Sequence, residues 1–277
     1  MLLSGVGPAD ELRELGIDSV ADLPGVGRNL QEHPIAPLIW KAKTTETLLR
    51  YLRYDRAALA SLQWLLFKKG PFVNNGRHAT IYTRTQPDLA QPDIQMVATS
   101  VGLDSLPWFP LITKSAVHRF VCLLGPFHPK SRGWVKLRSA DPMDTPKVFY
   151  NIYDEPEDLN SMVRGMLQAR EIYAQEPQKS LMEEELVPGN QIDTEKAMRA
   201  FLRQATRIGQ HPVGTCAIGQ GPDAVVDPEL RVRGVEGLRV ADASVMPLLT
   251  GGNTNIPCIM IGEKAADLIQ GRERIQF

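Results

Sequence analysis

The sequence predicts an α+β protein, and three observations carry that expectation. Short strand-like runs succeed one another in the middle of the chain with no helices between them. One long amphipathic helix follows them. Near the end, a turn rich in glycine and asparagine opens onto a last apolar helix. Strands joined by short turns pair antiparallel, because a parallel pair needs a long crossover connection.

The elements follow in order. Leu2 to Pro8 reads as a turn feeding a short helix over Ala9 to Leu15, with Pro8 suited to a first helical turn and Gly16 to its end. A second turn, Leu23-Pro-Gly-Val-Gly-Arg-Asn29, precedes an extended apolar run from Pro34 to Trp40. Thr47 to Lys68 carries Leu48, Leu49, Leu52, Leu59, Leu62, Leu65 and Leu66 at spacings of a helix or a helical pair, stopped by Gly70-Pro71. The strand-like runs are His78 to Arg84, Asp93 to Ser100, Arg119 to Leu124 and Gly133 to Ser139. Glu157 to Tyr173 is a helix with Leu159, Met162, Val163, Met166 and Leu167 on one stripe, a stripe read as core. A further helix over Thr194 to Ala205 turns Ala197, Phe201 and Leu202 inward. Leu238 to Ala241 reads as a buried strand ending at Asp242. The last helix has Asn255 as its cap and Pro257 in its first turn, and runs through Ile259, Ile261, Ala265 and Leu268 to Gly271.

Composition narrows the function classes. The chain has 277 residues, 43% of them hydrophobic, and a formal charge of -1 with both signs interspersed. Net charge therefore gives no reason to expect nucleic acid or an anionic membrane as partner. Cys122, Cys216 and Cys258 lie far apart among apolar neighbours, which fits buried thiols in a reducing compartment and not a disulfide framework or a metal site. No stretch reaches the length of a membrane-spanning helix and no secretory signal opens the chain, so the cytoplasm is the default location.

Two glycine turns invite a dinucleotide reading and fail it. That motif needs a third glycine to let helix and strand close under a pyrophosphate. Gly5-Val-Gly7 is followed by Asp10 where that glycine belongs, and Gly25-Val-Gly27 by Leu30.

Chemistry concentrates near the C-terminus. Pro212 biases His211 toward an extended backbone and limits where its imidazole points. Asp242, at a strand end, is placed to accept hydrogen bonds from ribityl or ribose hydroxyls. Gly251-Gly252 permits close backbone approach, and the positive end of the last helix faces whatever lies beside Asn253.

These segments carry a resemblance. His211-Pro-Val-Gly-Thr-Cys216, Leu238-Arg-Val-Ala-Asp-Ala-Ser-Val-Met-Pro247 and Gly251-Gly-Asn-Thr-Asn-Ile-Pro257 resemble the C-terminal block of the glucose-methanol-choline oxidoreductases, in particular the choline-dehydrogenase-like branch. Leu2 to Pro8, Leu23 to Gln31 and Lys130 to Pro142 resemble further family segments, so the likeness runs over nearly the whole chain. It implies a substrate domain on a six-stranded antiparallel sheet, over residues 34–205, inserted into an FAD-binding α/β domain represented by 1–33 and 206–277. It further implies alcohol oxidation by hydride transfer to flavin N5. His211 and Asn253 fall on the catalytic positions, Asp242 and Ala243 beside the flavin's phosphate and ribityl region, and Asn255 and Pro257 beside the isoalloxazine. The family's N-terminal Rossmann portion has no counterpart in the sequence. Two alternatives stand beside the enzyme: a split or truncated half needing a separate flavin-binding chain, and a lyase on the same fold. The implied ligands are FAD and a small alcohol, with no metal and no nucleic acid.

Overall fold

The computed structural model describes residues 1–73, 76–102 and 104–272, so the last five residues of the third expected segment lie outside it. In chain order its strands are β1 (Val6–Gly7), β2 (Ala21–Asp22), β3 (Pro34–Ala42), β4 (Arg77–Thr83), β5 (Ile94–Thr99), β6 (Arg119–Pro126), β7 (Trp134–Lys136), β8 (Lys147–Phe149), β9 (Met182–Val187) and β10 (Arg207–Ile208). Its α-helices are α1 (Ala9–Glu14), α2 (Tyr54–Phe67), α3 (Pro156–Tyr173), α4 (Gln178–Leu181), α5 (Glu195–Ala205) and α6 (Asn255–Gln270). The fold is mixed α+β, and the chain divides into two compact units.

The central unit comprises Pro34–Pro126 and Leu159–Arg207. Its six-stranded sheet runs β10-β3-β6-β5-β4, with β9 also paired to β3. Pairing of β3 with β6 and β9, and of β5 with β4 and β6, is antiparallel, and β4 and β5 follow each other through a short connection. Leu38 faces Cys122 and Met96 faces Leu124 across the ladder, and all four are fully buried. The α3 residues Leu159, Met162, Val163 and Met166 are buried as well. Gly165 sits where a Cβ would stand 3.1 Å from Leu124 Cδ1 and 3.2 Å from Ile94, so a side chain there would push helix from sheet. Trp40 and Tyr173 stack with ring centroids 4.4 Å apart. Leu167, expected on the α3 core stripe, is exposed instead, because it lies past the edge of the stripe that its four neighbours define. In α5 the buried residues are Met198 and Leu202, while Ala197 and Phe201 are only half-buried.

The terminal unit comprises Met1–His33, Phe127–Asp158 and Ile208–Phe277. Its core gathers Val6, Val26, Val225, Val226, Leu230, Val232, Val245 and Ala265. The loop at Lys130 and Ser131 is pinned by the Asp158 carboxylate, which accepts both their amides at 2.8 and 2.7 Å. Two local expectations need correction. Leu238 to Ala241 forms no strand: its one ladder contact is the isolated bridge of Arg239 to Arg231, and Leu238 and Ala241 are exposed. The Leu238 carbonyl accepts the Val232 amide at 2.9 Å and the Val240 amide donates to the Leu230 carbonyl at 3.1 Å, a single bridge too short to extend into a strand. Asn255 is not the cap of α6 but its first residue; Thr254 holds the N-cap position and makes no side-chain capping bond.

Candidate active site

The site is built on an extended stretch, Leu30 to His33, that follows the second glycine turn through Asn29, which adopts a left-handed φ of 56°. The turn glycines serve packing: a Cβ on Gly25 would stand 2.0 Å from the Asp223 carbonyl oxygen and one on Gly27 2.2 Å from that of Val135. Gln31 and Val213 exchange both backbone hydrogen bonds at 3.0 Å across an isolated antiparallel bridge. Two residues further along, His33 and His211 therefore face each other, with ring centroids 5.3 Å apart and the rings edge to face.

Successive side chains of this stretch bind different chain segments. The Asn29 amide donates to the Pro247 carbonyl at 3.1 Å. Gln31 Nε2 donates to the same oxygen at 3.0 Å, and Gln31 Oε1 accepts the Leu249 amide at 3.1 Å. Glu32 points the other way and accepts the amides of His33 at 2.8 Å and His211 at 2.8 and 3.0 Å. This carboxylate holds the turn that aims His211, a turn in which Gln210 adopts φ 63°, a left-handed conformation uncommon for residues other than glycine.

His33 joins the two loops that carry the expected pair. Its Nε2 lies 3.0 Å from the Phe127 carbonyl oxygen and its Nδ1 3.2 Å from His211 Nδ1, and the Thr250 backbone, three residues before Asn253, also hydrogen-bonds to it. A carbonyl oxygen only accepts, so His33 Nε2 carries the proton. Burial pushes the His33 imidazole down to about 4, against the Phe127 hydrogen bond and with the His211 and His128 rings adding to the depression. Neutral His33 thus has a bare Nδ1, and His211 Nδ1 must be the donor between the rings. With its proton on Nδ1, the His211 imidazole has Nε2 as the nitrogen that can take a proton. Burial likewise raises the Glu32 carboxyl above its ordinary value, opposed by the amides of His211, His33, Gly209 and Gln210.

These two shifts have opposite signs. The depressed His33 value contributes stability that is complete above its unfolded value and is lost as pH falls toward 4, whereas the raised Glu32 value contributes stability that is lost as pH rises. Thermal melts at about pH 7 and about pH 4.5 should therefore lose roughly 2–3 kcal/mol more stability in the natural protein than in a His33→Gln variant. Equal losses in the two proteins would mean that His33 is not held neutral.

The remaining expected residues lie around this core. Asn253 and Gly251 are exposed, and the exposed His128 packs so closely on Gly251 that a Cβ there would meet its Nε2 at 3.0 Å. Asp242 is exposed and caps a short 3-10 turn, Ala243–Val245, by accepting the Ser244 amide at 2.8 Å. Ala243 packs against the small cluster of Val213, Met246 and Leu249. Asn255 is exposed and Pro257 half-buried at the start of α6, whose first amides no side chain caps. Sequence reasoning missed Glu32 and His33 and gave Gln31 no role. Their signal was three consecutive polar residues running directly into an apolar strand, a pattern that burial tolerates only when each finds a partner.

Comparison with known proteins finds likeness to GMC oxidoreductases. A family model described as GMC oxidoreductase matches residues 129–262. The oxygen-dependent choline dehydrogenase of Sinorhizobium medicae is 40% identical over 275 residues, covering 99% of this chain and 49% of that protein. Its counterpart in Rhizobium meliloti is 39% identical over 275 residues, with the same two shares. Among solved structures, a formate oxidase from Aspergillus oryzae RIB40 superposes with a TM-score of 0.86 at 26% identity, covering 98% of this chain and 51% of that one. Pyridoxine 4-oxidase from Mesorbium loti gives 0.79 at 26% identity, covering 99% and 49%. The chain spans about half the length of the relatives it matches.

Proposed function

Since the chain belongs to the GMC oxidoreductase family and corresponds to the C-terminal portion of its members, we propose that it supplies the proton-handling residues of an FAD-dependent oxidation of a small alcohol. The observation that carries this reading is the relay from the Phe127 carbonyl through His33 to His211, which places the His211 proton on Nδ1 and so makes Nε2 the nitrogen that can accept one. In this reading His211 takes the hydroxyl proton of the alcohol, and the Asn253 amide donates a hydrogen bond to the oxygen as it becomes an alkoxide. The buried Glu32 and His33 keep the imidazole aimed.

The residues fit a flavin at its ring end. The uncapped amides opening the 16-residue α6 offer partial positive charge beside exposed Asn253 and Asn255, which suits the electron-rich edge of an isoalloxazine. Asp242, Ala243 and Pro257 would line the ribityl and ring region. When bound, the flavin supplies the acceptor for the hydride leaving carbon. The turns at Gly5 and Gly25 are filled by their own neighbours, so neither offers a pyrophosphate cradle. We assign the terminal unit to the flavin side of the enzyme and the central unit to the substrate side, and the three unpaired thiols suit a cytoplasmic setting.

A second observation favours a partnership in which another polypeptide segment provides the nucleotide grip. Ile256, Ile259 and Met260 leave an apolar face of α6 exposed, and the chain corresponds to about half of its relatives. The test is to produce the chain together with the N-terminal portion of the Sinorhizobium medicae enzyme, purify the pair, and follow the visible flavin absorbance. Retained flavin that bleaches on addition of an alcohol under anaerobic conditions is the expected result. Retained flavin that no alcohol bleaches would remove the oxidative reading.

A further inference from the structure

The central unit carries an apolar surface that the proposed chemistry does not use. In α2 the only buried residue is Ala60, while Leu59, Leu62, Trp64, Leu65, Leu66 and Phe67 are exposed. From Ser61 to Gly70 every residue is exposed, so the second half of the helix presents apolar side chains all round. A helix seated on one protein face hides a stripe and leaves its other side polar; all-round apolar exposure suits immersion in an apolar medium. A second apolar segment stands beside it, with Leu106, Phe109, Leu111 and Ile112 exposed. The two share a root: the Tyr54 amide donates to the Trp108 carbonyl at 3.0 Å, and the Trp108 amide to the Leu52 carbonyl at 3.1 Å.

The charges around this surface are one-sided. Its carboxylates are engaged, Asp55 with Arg53, Glu46 with Arg50 and Asp104 with Arg119. Arg56, Lys68, Lys69 and Lys114 have no carboxylate partner among the described residues, and Lys68 Nζ rests 4.4 Å from the centre of the Trp64 ring. The net charge of -1 for the whole chain conceals this local excess of positive charge. Leucine, tryptophan and phenylalanine flanked by lysine and arginine are the ingredients of a helix that lies in a membrane interface. None of the described helices is long and apolar enough to cross a membrane. At about 1.5 Å per residue α2 is also shorter than the roughly 30 Å hydrocarbon layer.

We infer that α2 and the 106–112 segment form a shallow insertion surface by which the protein docks on an anionic phospholipid leaflet. The test is flotation of the purified chain with phosphatidylcholine vesicles, with and without phosphatidylglycerol. The chain should float with the anionic vesicles and far less with the neutral ones. Lys68→Ala with Lys69→Ala should weaken anionic binding by roughly tenfold to thirtyfold, at about a fivefold factor per lost charge. Leu65→Glu with Phe67→Glu should abolish it, and since all four side chains are exposed the variants should keep the parent circular dichroism and melting temperature. The inference is overturned if the chain stays in solution with both vesicles, or if the double glutamate variant floats like the parent. It is equally overturned if light scattering shows a dimer that the glutamates dissociate while vesicles are ignored, since a second copy would then be the occupant.

Discussion

His211→Asn, in the chain paired with a flavin-binding portion, should slow alcohol-dependent bleaching of the flavin by about 10²–10⁴-fold, the ordinary contribution of a positioned base. Asparagine is the informative replacement. Its side-chain amide nitrogen stands near the place of Nδ1 and can still donate to His33 Nδ1, now 3.2 Å from the His211 ring, while nothing takes the place of Nε2. The hydrogen-bond relay thus survives and only the proton acceptor is removed. Flavin content and melting temperature should stay close to the parent, so that a loss of rate reports chemistry and not folding. Stopped-flow traces that match the parent would take His211 out of the reaction.

Glu32→Ala should cost about 3–5 kcal/mol of folding stability, which places it among the largest single-site effects available in this chain. The carboxylate is 5% exposed and accepts the amides of both His33 and His211. Its removal strands buried donors and releases a turn that Gln210 enters at φ 63°. Urea unfolding followed by circular dichroism measures the loss. Glu32→Gln keeps one accepting oxygen and should lose less, about 1–3 kcal/mol. Because burial raises the Glu32 carboxyl in the folded protein, the parent's own advantage falls as pH rises through that raised value. The glutamine variant's deficit should therefore be largest in acid and shrink toward neutral pH. An alanine variant that unfolds at the parent's urea midpoint would show that the amides find other acceptors.

Periodicity made much of this fold legible. The spacing of Leu159, Met162, Val163 and Met166 identified the buried stripe of α3, and the succession of short runs without helices identified an antiparallel sheet. It failed where burial depends on neighbours that a local pattern does not contain. The leucines of α2 have helical spacing yet stay exposed, and Leu238 to Ala241 is apolar yet makes only one isolated bridge. At the site, Pro212 and Gly251-Gly252 marked His211 and Asn253 through their backbone constraints. Glu32 and His33 were harder to see, because their importance lies in contacts 94 to 179 residues away in sequence. The bridge between Gln31 and Val213 sets Glu32 and His33 beside the distant His211.

The alternation along Leu30 to His33 has an evolutionary consequence. Asn29 and Gln31 bind the segment from Pro247 to Leu249, His33 meets Thr250, and Glu32 faces the opposite way toward the His211 turn. An extended backbone reverses side with every residue, so inserting or deleting one position would exchange the carboxylate and the imidazole. Although this stretch lies outside the named strands, it should admit substitutions far more readily than changes of length, unlike the surface loops that ordinarily absorb insertions.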